Sequence, residues 1–370
     1  MPGIYLHIPF CAAKCPYCDF YSVPWRRELA EEYTAALLRE LSRWADLDPF
    51  RADTLYFGGG TPSLLPPRQI ASLIQLCRER FGLPEDGEIT LEVNPRTVDE
   101  KTLREYRAAG VNRLSVGLQS PHLEELSLLG RKHSPDQAAQ TILQAAEAGF
   151  TDISADLILA LPGQTVQTLE KTAAFLSALP LTHLSAYLLK IEEGTPFGAA
   201  PPDRLPDPDQ AAELYLAAVR LFDSIGFSQY EISSFARPGF EGKHNANYWD
   251  CGEYLGVGAA AHSFRKGRRF FYPRSVEDFL RTAGTVSLPV DDGPGGTPEE
   301  YLILRLRLIR GLSLSAYASR FGEDAALALR QKSDSLSRKI PHLFRFDGET
   351  LSLTPEGFLL SNSIFPYLTD

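Results

Sequence analysis

Residues 4–18 read IYLHIPFCAAKCPYC. The run IYLHI (4–8) is strand-like, and directly behind it stand Cys11, Cys15 and Cys18, spaced C-x3-C-x2-C. Such clustering in a long chain points to a metal or redox site, not to a disulfide framework. Four thiolates saturate an ordinary iron–sulfur cluster or a structural zinc, whereas three on one loop leave a metal position open to a substrate or cofactor. A zinc knuckle completed by His7 or Asp19 is the competing reading. The spacing is unusual for zinc pairs, and the loop sits at a strand end, where barrel active sites are built.

Working outward, the same strand-then-helix grammar repeats. Strand-like runs recur at TLYF (54–57), ITLEV (89–93), RLSVGL (113–118), DISADLIL (152–159) and HLSAYLL (183–189). Helical patterns lie between them: 29–44, the Ile70, Leu73, Ile74, Cys77 face, 100–109, 136–148 and 165–179. Gly110 and Gly149 close two of these. Six alternations imply parallel strands with right-handed crossovers, and six fall short of the eight that close a full barrel. The fold class is therefore α/β, with an open, partial (β/α)6 barrel over residues 1–195.

A Pro-rich stretch (194–208), a helix (209–225) and the alternating strand QYEISSF (229–235) belong to a smaller α+β region spanning 196–290. The break VDDGPGGTP (290–298) opens a C-terminal unit, 291–370. It reads helix (299–310), helix (313–320), helix (323–339), a hairpin (343–353) and a final helix, in the manner of a winged helix. Residues 299–370 balance nine Lys/Arg against nine Asp/Glu, so no nucleic-acid face is evident.

The whole chain of 370 residues carries 37 Lys+Arg against 47 Asp+Glu, a net charge of −10. That balance disfavours non-specific binding to nucleic acid or anionic membranes. No stretch approaches the roughly 18 uninterrupted apolar residues of a membrane span, and the start lacks a basic n-region. A soluble, cytoplasmic protein is expected.

Polar residues gather where a barrel mouth would lie. Gly58–Pro62 (GGGTP) follows the second strand, Glu92 ends the third, Gln119 ends the fourth with Arg131 beyond it, and Asp156 sits in the fifth. Each alone is more often structural. Their recurrence at successive strand ends favours a shared ligand.

With Tyr17 before its last cysteine, the triplet resembles the radical S-adenosylmethionine (SAM) superfamily. The resemblance implies that Cys11, Cys15 and Cys18 hold a [4Fe–4S] cluster whose fourth iron takes SAM. One electron from the cluster then cleaves the sulfonium and can release a 5′-deoxyadenosyl radical. YLHIPFC, FGGGTP, LEVNP, RLSVGLQS, LGRKH and DLILALPGQT are similar to the coproporphyrinogen-dehydrogenase-like branch over roughly residues 4–265. There the resemblance assigns Tyr5, Tyr17, Gly59, Gly60, Thr61, Glu92, Gln119, Arg131 and Asp156 to SAM.

Two groups share these motifs. The dehydrogenases, which decarboxylate coproporphyrinogen III, carry a longer N-terminal arm and a further cysteine where Phe20 stands here. CPYCDF and His244-Asn245-Ala246-Asn247-Tyr248-Trp249 instead resemble the heme chaperones of the branch. That resemblance implies heme as bound cargo, client hemoproteins and an electron donor as partners, and leaves room for a homodimer. It makes His244 the candidate axial heme ligand, with Tyr248 and Trp249 packing on the macrocycle and glycines 239, 242 and 252 lending adaptability. Cys251 is an alternative ligand, Cys77 reads as core, and His7 as an inward-facing packed residue. His262 is left open.

Overall fold

Each of the six apolar runs is a strand in the computed structural model, which describes residues 2–285 and 289–369. They are β1 (Gly3–Ile8), β2 (Thr54–Gly59), β3 (Glu88–Val93), β4 (Arg113–Gln119), β5 (Asp152–Leu159) and β6 (His183–Leu188). Between them run α1 (Arg27–Leu47), α2 (Pro67–Phe81), α3 (Glu100–Ala109), α4 (Leu123–Leu128), α5 (Pro135–Glu147) and α6 (Val166–Ser177). Local chemistry sets their ends: Asp99 caps the backbone N–H of Thr102, and Ser134 forms a reciprocal capping box with Gln137. β1 to β6 lie side by side in chain order, every pair parallel, because each helix carries the chain back to the starting edge.

Alternation along the strands divides two environments. Ile4, Leu6 and Ile8 share the outer core with Tyr33, Leu37 and Leu41 of α1. Tyr5, His7, Tyr56, Glu92, Ser115 and Asp156 face inward. The sheet curls enough that Glu92 of β3 and Asp156 of β5 feel each other's charge across β4.

The middle region extends both edges of this sheet. After α7 (Pro208–Ser224), the run expected as one strand at 229–235 splits into antiparallel β7 (Ser228–Glu231) and β8 (Ser234–Ala236), with β8 lying beside β6. The Pro-rich stretch includes one short helix, Pro196–Ala199, that buries Phe197. Then come α8 (Lys243–Trp249), β9 (Tyr254–Val257), β10 (His262–Arg265), β11 (Arg268–Phe271), α9 (Val276–Thr282) and β12 (Val290–Pro294). β9 runs parallel to β1 as a seventh barrel strand that the sequence reading did not contain. The sheet has twelve strands in the order β12-β11-β10-β9-β1-β2-β3-β4-β5-β6-β8-β7.

At the C-terminus α10 (Pro298–Arg305), β13 (Leu312–Ser313), α11 (Leu314–Phe321), α12 (Glu323–Lys339), β14 (Phe344–Phe346) and β15 (Thr350–Leu353) give three helices and a small sheet ordered β13-β15-β14. The expected helix 299–310 stops at Arg305, because Arg307 and Ile309 pair with Ile232 and Tyr230. The expected final helix is three short ones, Pro355–Leu359, Ser361–Ile364 and Pro366–Thr369. The core of this unit, with Leu302, Leu306, Phe344 and Leu351, takes in Cys251 and Phe264 from the middle region. Among the described residues no helix is long and apolar enough to cross a membrane.

Candidate functional site

The cysteine loop leaves β1 at the C-terminal end of the barrel. Two-residue strands Phe10–Cys11 and Val23–Pro24 pair across it, and the Phe197 N–H donates to the Pro16 carbonyl at 3.0 Å. All three thiols are free and partly exposed. The Thr61 hydroxyl donates to Cys11 Sγ at 3.7 Å, and Arg131 Nη1 to Cys15 Sγ at 3.6 Å, so positive and hydrogen-bonding groups already face the sulfurs. Arg131 Nη2 donates to the Gly117 carbonyl, while its buried Nε has no partner among the described residues. Tyr17 lies beside Cys15 and packs with Leu129, Ile158, Leu161 and Leu189.

Of the two residues considered for completing a zinc site, His7 has both ring nitrogens engaged and Asp19 lies in an ion pair. His7 Nε2–H donates to the Tyr21 carbonyl at 3.1 Å, so Nδ1 accepts the Tyr5 hydroxyl at 3.0 Å. Asp19 is paired with Arg274 at 3.6 Å. Among the described residues no three His, Cys, Asp or Glu side chains converge on a point where one ion could sit. Thiolates bound to different irons of a cube need no such common centre. The donor set fits a cluster.

The strand-end residues come together above this loop. Gly59 has φ +118°, and a Cβ there would lie 2.6 Å from the His7 ring; at Gly60 a Cβ would lie 2.6 Å from the Phe10 carbonyl oxygen. The chain thus passes under the first strand only as glycine. Glu92 accepts the Tyr56 hydroxyl at 3.0 Å and the Gly59 N–H at 3.1 Å. Burial, reinforced by Asp156, pushes its pKa up to about 7. Asp156 accepts from Ser115 at 2.8 Å and is also raised by burial. A bulge between Val116 and Gln119, with φ +67° at Gln119, turns that side chain at the end of β4. Two inward carboxylates without an ion-pair partner among the described residues suit a cationic ligand, and the ammonium and sulfonium of SAM are such cations.

Tyr56 was not singled out from sequence. Its ring stacks between Tyr5 (6.0 Å) and His244 (5.2 Å), and its hydroxyl holds Glu92. The period-2 pattern of TLYFGG, which turns Thr54 and Tyr56 inward, is the signal that could have found it.

His244 lies elsewhere. HNANYW is the helix α8, and it closes the opposite end of the barrel. Glu88, at the start of β3, accepts the N–H groups of Lys243 and His244 at 2.8 Å each. His244 is 1% exposed; Nδ1 is hydrogen-bonded to Thr54 Oγ1 and Nε2 to the Tyr248 hydroxyl, both at 2.7 Å. Burial lowers its pKa to about 3, with Arg113 adding to the effect. Neither ring nitrogen is open to an axial position in this structure. Trp249 ends the same helix, and Tyr248 is committed to His244 and Tyr254. A Cβ at Gly252 would lie 1.9 Å from Asn247 Oδ1, so that glycine serves close packing instead of adaptability. Cys251 is buried in the C-terminal core, 3.8 Å from Arg320, and Cys77 is fully buried as expected.

Comparison with known proteins agrees with the architecture. The Radical SAM superfamily profile matches residues 5–176, and the HemN C-terminal domain profile matches 297–360. The heme chaperone HemW of Escherichia coli strain K12 is 40% identical over 273 residues, 72% of this chain and 71% of that protein. The heme chaperone HemW of Mycobacterium tuberculosis strain H37Rv is 32% identical across 98% of this chain and 93% of its own. Among solved structures, the coproporphyrinogen III oxidase HemN from Escherichia coli, a radical SAM enzyme, superposes with a TM-score of 0.83 at 25% identity, covering 100% of this chain and 90% of that one.

Proposed function

Because the chain belongs to the HemW family of radical SAM proteins, we propose that it binds heme and delivers it to client hemoproteins. The observation that carries this reading is similarity along nearly the whole chain to proteins named heme chaperones. Cys11, Cys15 and Cys18 would hold a [4Fe–4S] cluster, with Tyr5, Tyr17, Gly59, Gly60, Thr61, Glu92, Gln119, Arg131 and Asp156 around SAM. When bound, that pair supplies one-electron reducing chemistry fed by an external electron donor. The chain's own contribution is to orient and to exclude water. Thr61 and Arg131 steady two of the sulfurs. Glu92 would give up its proton as an ammonium arrives, and Asp156 would add a second negative charge. Five free thiols suit a reducing compartment, in keeping with a cytoplasmic setting.

A second reading, oxidative decarboxylation of coproporphyrinogen III, draws on the fold shared with HemN. Phe20, in place of a further cysteine, weighs against it. One anaerobic preparation, reconstituted with iron and sulfide, separates the two. Heme titration should develop a Soret band, and the loaded protein should pass heme to an apo-hemoprotein without turning over porphyrinogen. Turnover to protoporphyrinogen without heme binding would replace the chaperone reading with the enzyme.

A further inference from the structure

We propose that His262, on the inner face of β10 at the cluster end of the barrel, is the axial ligand for heme; this rests on the heme-binding reading above. The chain has seven histidines. His7, His183 and His244 have both ring nitrogens engaged. His122 and His133 each donate Nε2–H to a backbone carbonyl, and His133 is buried. Among the described residues only His262 and His342 are exposed with no hydrogen bond to the ring.

The surroundings of His262 suit a porphyrin. β9 runs parallel to β1 with Gly256 opposite Tyr5, so Tyr254 and Gly256 face inward. Phe264 lies opposite Tyr254, and His262, two residues on along an antiparallel strand, shares that face nearer the mouth. Phe264 is covered by the C-terminal core, and His262 lies beyond the cover. Directly across from it stands Phe271, their rings stacked at 5.2 Å, and across from Phe271 stands Val290, 45% exposed. His262, Phe271 and Val290 thus form a row over three strands, one ligand atom followed by two apolar surfaces for a flat macrocycle. Arg274, just past β11, is 63% exposed and only loosely held by Asp19 of the cluster loop at 3.6 Å, which leaves it free to meet a propionate. Burial lowers the His262 pKa, Asp292 opposing and Arg269 and Arg274 assisting, so the imidazole is neutral when it meets iron. His342 has no ring contact of this kind among the described residues.

Hemin is titrated into the reconstituted full-length protein and its His262→Gly and His342→Ala variants, followed by the Soret and visible bands. His262→Gly should weaken binding by at least about tenfold and lose the imidazole-ligated spectrum, and free imidazole should restore that spectrum; His342→Ala should behave as wild type. His262→Gly with wild-type spectrum and affinity, or loss in His342→Ala instead, would overturn the assignment alone. Failure of the wild type to bind hemin would overturn the heme reading along with it.

Discussion

The two ends of the barrel are built from the same strands yet differ in what they leave unmet. At the floor, His244 has both nitrogens paired, Glu88 caps the helix that carries it, and His183 is held by Ser154 and Tyr230. At the mouth, three cysteines are free of disulfides, and Glu92 and Asp156 are held at raised pKa with no ion-pair partner among the described residues. Rings whose nitrogens are all paired within the chain make a plug, whereas inward carboxylates with no ion-pair partner among the described residues suit a cationic ligand. Tyr56 spans the two, one face of its ring on His244 and its hydroxyl on Glu92. A motif histidine is therefore not a ligand by virtue of its motif. What decides is whether its nitrogens are already spent.

The contrast can be broken most severely at the mouth. Cys15→Ala should abolish the iron–sulfur absorbance of reconstituted protein, since two thiolates do not hold the cube; retention of that absorbance would remove the cluster assignment. At the floor, His244→Ala should cost about 2–4 kcal/mol in denaturant unfolding, from a cavity plus two stranded hydroxyls, while folded protein still takes up heme. A stable variant that has lost heme would invert the roles of the two ends.

Smaller effects sharpen the comparison. Glu92 is protonated below its pKa of about 7 and then offers no charge to an ammonium. Affinity for SAM should thus rise about fivefold from pH 6 to 7 and about tenfold by pH 8, levelling off above, and Glu92→Gln should bind weakly with that slope gone. A flat wild-type profile by equilibrium dialysis would take Glu92 out of the SAM site. Tyr56→Phe keeps the ring stack but deletes one hydrogen bond to the carboxylate, worth about 1 kcal/mol. It should move the midpoint of the same profile to higher pH and lower affinity at pH 7 several-fold; an unshifted midpoint would uncouple floor from mouth.

Much of this was legible beforehand because it rests on local periodicity. The six strand runs and most helices fall where apolar alternation put them, within a residue or two, since each buries one face against a neighbour. The cysteine spacing likewise announces itself. β9 to β12 escaped because four- and five-residue strands rich in Gly, Arg and Phe carry no clear period; their existence depends on β1 offering a free edge. The position of HNANYW was equally hidden. Nothing in six residues says that Glu88, more than 150 positions earlier, will cap them at the barrel floor. His262 carries no local signal either, because its exposed, unengaged ring beside Phe271 exists only once β10 and β11 pair.

Hydrogen exchange of the reconstituted protein with and without heme compares the two ends in a single measurement. Heme should protect amides of 262–274 and the cysteine loop while leaving 243–249 as slow as before, because that helix is sealed in both states. Protection or opening confined to 243–249, with 262–274 unchanged, would contradict the assignment of the mouth as the receiving end.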